Sequence, residues 1–212
     1  MLRSNYLKTR GDTLVEVLFA IAIFSLVAVG GLAIMNQGAA TSQRALEITM
    51  VRNEIDAQAE TLRFLNASYV AAYQLNGDYP LTTPAGQWFS MLEEIEMTGN
   101  ASVSDFGMDN NSKCPDHPNG SFILNARNAT FVALSPNKLQ SAQTFSQVRY
   151  DAGGEVSSAD GMWIEAVRST ISADPNQLHA GYIDFHIRAC WDSPGQSIPV
   201  TIGTIVRLYE PR

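Results

Sequence analysis

Few side chains in this sequence have the type and spacing to do chemistry. Cys114-Pro115-Asp116-His117 sets a thiol near an imidazole, the opening of a nucleophile–base pair or of a metal site. A structural zinc site needs four ligands at recognisable spacing; this run offers two, and His179 and His186 lie far along the chain. The stretch Asp105–Asn111 supplies oxygen donors without the spaced Asp-x-Asp-x-Asp-Gly order of a calcium loop. No Gly-x-Ser-x-Gly elbow, phosphate-binding loop or dinucleotide fingerprint occurs. Several Asn-x-Ser/Thr triplets, those at Asn66, Asn110, Asn119 and Asn128 among them, are what chance provides in a chain rich in these residues. The residues therefore point to a protein that is not an enzyme, with no catalytic residue, metal or cofactor. One carboxylate still needs a reason. Glu16 borders a long apolar run, and an acid carried towards the centre of a bilayer costs about 2.5–3.5 kcal/mol.

The elements around Glu16 explain its setting. Residues 1–11, MLRSNYLKTRG, are polar and basic; Val17–Met35 then runs for nineteen residues with Ser25 as the only hydroxyl side chain. As a helix that run covers roughly 28 Å, close to the hydrocarbon thickness of a bilayer. Arg3, Lys8 and Arg10 precede it and no charge lies within it, which places the N-terminus in the cytoplasm and the rest outside. An ordinary signal peptide has a shorter apolar core and a small-x-small cleavage site, for which Ala39-Ala40 is a weak match. An uncleaved single-pass anchor is a second reading of the same residues.

The join between leader and apolar run, Gly11-Asp12-Thr13-Leu14-Val15-Glu16, resembles the signature of the type IV prepilin family. Gly11, Thr13, Leu14, Glu16 and the following VLFAIAIF carry the resemblance, which covers roughly positions 8–36. It implies cleavage between Gly11 and Asp12 by a membrane-embedded prepilin peptidase, with N-methylation of the new terminus. Asp12 stands where the family usually has phenylalanine or methionine. The resemblance further implies that Glu16, fifth in the mature chain, faces the terminal amine of a neighbouring subunit. Two buried opposite charges are tolerable as a pair and very unfavourable alone. Related filaments melt a short stretch of this helix on assembly, and Gly30-Gly31 is the candidate, at roughly 1 kcal/mol per glycine relative to alanine. Close helix packing in the membrane is the other reading of the glycine pair.

Beyond the apolar run the first proline is Pro80, so a helix can continue to about residue 75. Ile48, Val51, Ile55, Ala59, Leu62, Leu65 and Tyr69 form a stripe at helical spacing, with Arg44, Glu47, Arg52, Glu54, Asp56, Glu60 and Arg63 around it. Trp88–Glu96 reads as a short helix and 98–120 as a loop. Ser121–Asn125, Thr130–Leu134, Met162–Ser169, Tyr182–Trp191 and Val200–Glu210 read as strands. In the fourth, Ile183, Phe185, Ile187 and Ala189 share one face, with Tyr182, Asp184, His186 and Arg188 on the other. The expected fold is α+β: a long N-terminal helix, transmembrane then amphipathic, packed on an antiparallel-sheet head. The expected divisions are leader 1–11, transmembrane and assembly helix 12–36, amphipathic half 37–75 and head 76–212. Cys114 and Cys190, the only cysteines, both fall in the exported part, where a disulfide worth about 3–4 kcal/mol is expected.

Losing the leader leaves 11 of the 14 basic residues against 21 acidic ones, a net charge of −10, so nucleic-acid binding through bulk charge is not expected. The expected function is structural: a pilin or minor pilin that polymerises through its helix. By the resemblance, its partners are identical or related subunits and an inner-membrane assembly platform with a cytoplasmic ATPase. It would sit in the cytoplasmic membrane with its head outside, then in an extracellular filament. The alternatives are a type II secretion pseudopilin, or a single-pass anchored binding protein that does not polymerise.

Overall fold

The computed structural model describes residues 12–73, 77–98, 114, 120–135, 137–168, 181–193 and 196–211. The chain divides into two compact units, the first 45 residues and Leu46–Arg212. One helix, α1 (Asp12–Ala72, 61 residues), passes from the first into the second. It is unbroken because no proline precedes Pro80. It also continues through Gly30 and Gly31, where an added Cβ would meet nothing within 4 Å. It ends three residues before the expected stop, where Tyr73 N turns back to Val70 O in a tightened last turn.

In the second unit α1 covers a five-stranded antiparallel sheet in the order β2-β1-β6-β7-β8. The strands are β1 (Phe122–Asn125), β2 (Thr130–Ala133), β6 (Met162–Arg168), β7 (Tyr182–Trp191) and β8 (Val200–Tyr209). Val51, Ile55, Leu62, Leu65 and Tyr69 of α1 are buried, as the period of the stripe requires. On β7 the alternation holds on the core side: Ile183, Phe185, Ile187 and Ala189 are each fully buried. A second helix, α2 (Pro84–Thr98), adds Trp88, Met91 and Ile95 to the same core, with the Trp88 ring 5.6 Å from Phe185. This helix begins four residues earlier than the hydrophobic run indicates. The signal is Thr83-Pro84: Thr83 Oγ1 accepts from Gly86 N at 3.1 Å, and proline fits the first helical position.

A small second sheet is absent from the sequence expectation. It comprises β3 (Leu139–Gln140), β4 (Gln147–Tyr150) and β5 (Val156–Asp160) in the order β3-β5-β4, with β3 and β5 parallel. These strands are two to five residues long, and VSSAD reads as turn rather than strand, so no period-2 signal marks them. Two polar side chains are also more buried than their positions in the pattern indicate. Arg188, on the face of β7 opposite the core residues, is buried and lies 3.4 Å from Glu165, whose carboxylate also accepts from Trp163 Nε1 at 2.8 Å. Glu47, placed among the polar surroundings of the stripe, is buried and accepts from Trp191 Nε1 at 3.2 Å and Ser193 Oγ at 2.8 Å. It ties α1 to the end of β7.

One helix side chain substitutes for a strand. Among the described residues β1 meets β6 only at Phe122–Ile164, so the backbone of Leu124 lacks a strand neighbour on that side. Gln58 of α1, fully buried, donates Nε2 to Leu124 O and accepts from Leu124 N, both at 2.9 Å. A buried peptide group left unpaired costs about 1–3 kcal/mol, which this amide prevents. Glu54 stands one turn before Gln58. Burial raises its carboxyl above the ordinary value, with Gln58 and Arg127 pulling the other way. The folded protein then holds this proton more tightly than the unfolded chain, so the stability associated with it declines as pH rises through the raised value. Glu54→Gln is expected to raise the melting temperature at pH 7, and the gain should vanish below about pH 4, where the carboxyl is protonated in both states. A gain that is the same at both pH values contradicts the assignment.

Candidate processing and assembly segment

Gly11, the expected processing residue, lies outside the described residues; Asp12 opens α1. Thr13, Leu14 and Glu16 all fall in the first turns of that helix, so the pattern Thr-Leu-x-Glu is carried on one rigid element. Glu16 is exposed, near the helix end whose free amide groups favour negative charge.

The helix that follows is apolar on every side. Leu14, Val17, Phe24, Leu26, Leu32 and Met35 stand between 56% and 76% exposed, and the most apolar 18-residue window has mean hydropathy 2.7 with none of it buried. A soluble protein's core helix buries such residues; this one presents them all, a surface that only lipid or other protein can cover. Two hydroxyls along it bond back to the helix. Ser25 Oγ donates to Ile21 O at 2.8 Å and Thr41 Oγ1 to Gln37 O at 2.9 Å, so neither carries an unpaired polar group into an apolar medium.

Residues 8–32 match the family model of the prokaryotic N-terminal methylation motif. The N-terminus is a prepilin-type signal. No curated protein and no solved structure matches the chain. The motif supports a type IV pilin- or pseudopilin-like protein, structural in character. It implies processing by prepilin peptidase and pilin assembly. The long apolar helix with its antiparallel sheet gives a pilin-like α+β layout, consistent with membrane anchoring and a later extracellular filament.

The two cysteines are joined. Cys114 and Cys190 form a disulfide across 76 positions, with their Cα atoms 5.7 Å apart. Cys190 is buried near the end of β7, where its N donates to Gly161 O at 2.8 Å, so the bond anchors Cys114 to the sheet. The other oxygen and nitrogen donors weighed above, Asp105–Asn111, Asp116, His117 and His179, lie outside the described residues. His186 is half-buried on β7; burial first and Arg188 second push its imidazole below the ordinary value. Among the described residues no group of three or more His, Cys, Asp or Glu side chains is arranged to hold a metal ion. Sequence reasoning missed Gln58 and Glu47 as the side chains that fasten α1 to the sheet. A polar residue on the edge of an apolar stripe is the only trace they leave in the sequence.

Proposed function

We propose that the protein is a subunit of a type IV pilus-like filament, cut between Gly11 and Asp12 by prepilin peptidase and polymerised through α1. The observation that carries this reading is the prepilin-type signal directly preceding a helix that is apolar all round and exposed along its membrane-length run. Before assembly lipid covers that surface; afterwards the same surface of other subunits does. Glu16 is the register device. Its charge is stable in an apolar filament core when a neighbour's terminal amine lies against it, and only the axial offset that brings the two together is allowed. Gly30 and Gly31 supply the stretch of α1 that yields most readily on assembly.

The partners are prepilin peptidase, copies of this chain or related subunits, and a membrane platform driven by a cytoplasmic ATPase. A pilin carries its head to the cell surface; a secretion pseudopilin keeps it in the periplasm. Co-expression with a prepilin peptidase is expected to shorten the chain by the eleven residues of the leader, read by mass. A chain that stays at full length, with the peptidase active on another prepilin, supports the monomeric anchored protein instead.

A further inference from the structure

We propose that Asn128 is the acceptor of an N-linked glycan, attached by transfer from a lipid-pyrophosphate-linked donor. Asn-x-Ser/Thr triplets at Asn66, Asn100, Asn110, Asn119 and Asn128 are equivalent in sequence, and such a triplet becomes a modification site only on an accessible surface. The fold separates them. Asn128 is exposed in the turn between β1 and β2, at the edge of the five-stranded sheet. The next residue, Ala129, has φ of 55°, the left-handed region that a residue with a Cβ enters only under constraint, and its N donates to Asn125 O at 2.8 Å. That bend turns the chain so that Thr130 Oγ1 donates to Asn128 Oδ1 at 2.8 Å. On the other side of the same amide, Nδ2 donates to Glu155 Oε1 at 3.3 Å.

These contacts are the ones an amide needs to act as a nucleophile. Its nitrogen lone pair is normally delocalised into the carbonyl. A hydroxyl donating to the oxygen stabilises the imidate form and acidifies the N–H, and a carboxylate against the nitrogen receives the proton as it leaves. In the transfer, Nδ2 forms a bond to the sugar C1 and the C1–oxygen bond to pyrophosphate breaks. The lipid pyrophosphate departs with the bonding pair, and the proton from Nδ2 passes through the carboxylate to solvent. Nothing is oxidised or reduced. Asn66 has no such arrangement: it lies within α1, Ser68 donates its hydroxyl to Phe64 O at 2.8 Å, and Asn66 Nδ2 donates to Tyr209 O at 3.4 Å. Asn100, Asn110 and Asn119 lie outside the described residues.

The inference rests on export of the head, which is part of the reading above, and the two can fail separately. Trypsin, which cuts after Arg127 and Lys138, releases residues 128–138 as one peptide. From the exported protein that peptide is expected heavier by whole sugar residues carried on Asn128. The added mass should be lost completely in Asn128→Gln and Thr130→Val and kept in Thr130→Ser, with thermal melting used to confirm that each variant is folded. Recovery of the peptide only at its unmodified mass overturns the inference, as does added mass that survives Thr130→Val or a glycan on Asn66 with none on Asn128. A mature terminus at Asp12 together with an unmodified peptide sinks this inference alone and leaves the processing intact.

Discussion

Glu16→Ala is expected to abolish filament assembly while the cut after Gly11 continues. The substitution deletes the negative charge that borders the apolar run of α1 and leaves only a methyl group in its place, so membrane insertion becomes easier. What changes is the contact between subunits. A terminal amine brought into the filament core would meet no carboxylate from Glu16, and breaking one partner of a buried pair costs about 3–5 kcal/mol. At 1.4 kcal/mol per factor of ten, each association step loses more than about a hundredfold, repeated at every subunit added. Surface filaments sheared from cells and measured with an antibody against the head should fall to background, while the membrane fraction still holds the shortened chain. Glu16→Asp keeps the charge on a side chain one methylene shorter and should retain part of the assembly. Normal filaments from Glu16→Ala would remove the basis for register by charge pairing.

The second large effect belongs to the head. Replacing both cysteines, Cys114→Ala with Cys190→Ala, removes a crosslink spanning 76 positions. The chain-entropy account gives a loss of about 4.5 kcal/mol for a loop of this size. In a domain of this length that corresponds to a drop in melting temperature of about 10 °C. Alanine avoids the complication of a hydroxyl at position 190, which is 1% exposed. Circular-dichroism melting of the detergent-solubilised protein, with and without the pair, reads the difference. An unchanged midpoint, or two reactive thiols in the exported wild-type protein, contradicts the staple.

Legibility from sequence followed the strength of the periodic signals. The apolar run, the stripe from Val51 to Tyr69 and the alternation in β7 each repeat several times, and a repeated pattern survives the averaging that tertiary contacts impose. The disulfide was readable because only two cysteines exist and both fall beyond the apolar run, in the part that the membrane reading places outside. What stayed hidden was what depends on a single side chain meeting a distant backbone. Gln58 reaches Leu124 across 66 positions and Glu47 reaches Trp191 across 144, and neither leaves a local pattern. Arg188 alternates correctly with its neighbours yet is buried, because Glu165 on the adjacent strand offers a counter-charge that only the register of β6 on β7 reveals. The small sheet escaped for a different reason. Strands of two to five residues are too short for a period to emerge from polar sequence. At the N-terminus the motif was legible because its residues stand in consecutive order within residues 8–32, with no distant contact needed to recognise it.

The account stands on one covalent event, the removal of the leader. The measurement that tests it most directly is the mass of the N-terminal peptide of the exported protein. The expected peptide starts at Asp12, with or without a methyl group on its amine, and none starts earlier. A peptide that still carries Arg3, Lys8 and Arg10 ahead of Gly11 would leave the terminal amine on Met1, at the far end of the leader and out of reach of Glu16, and would contradict the filament model.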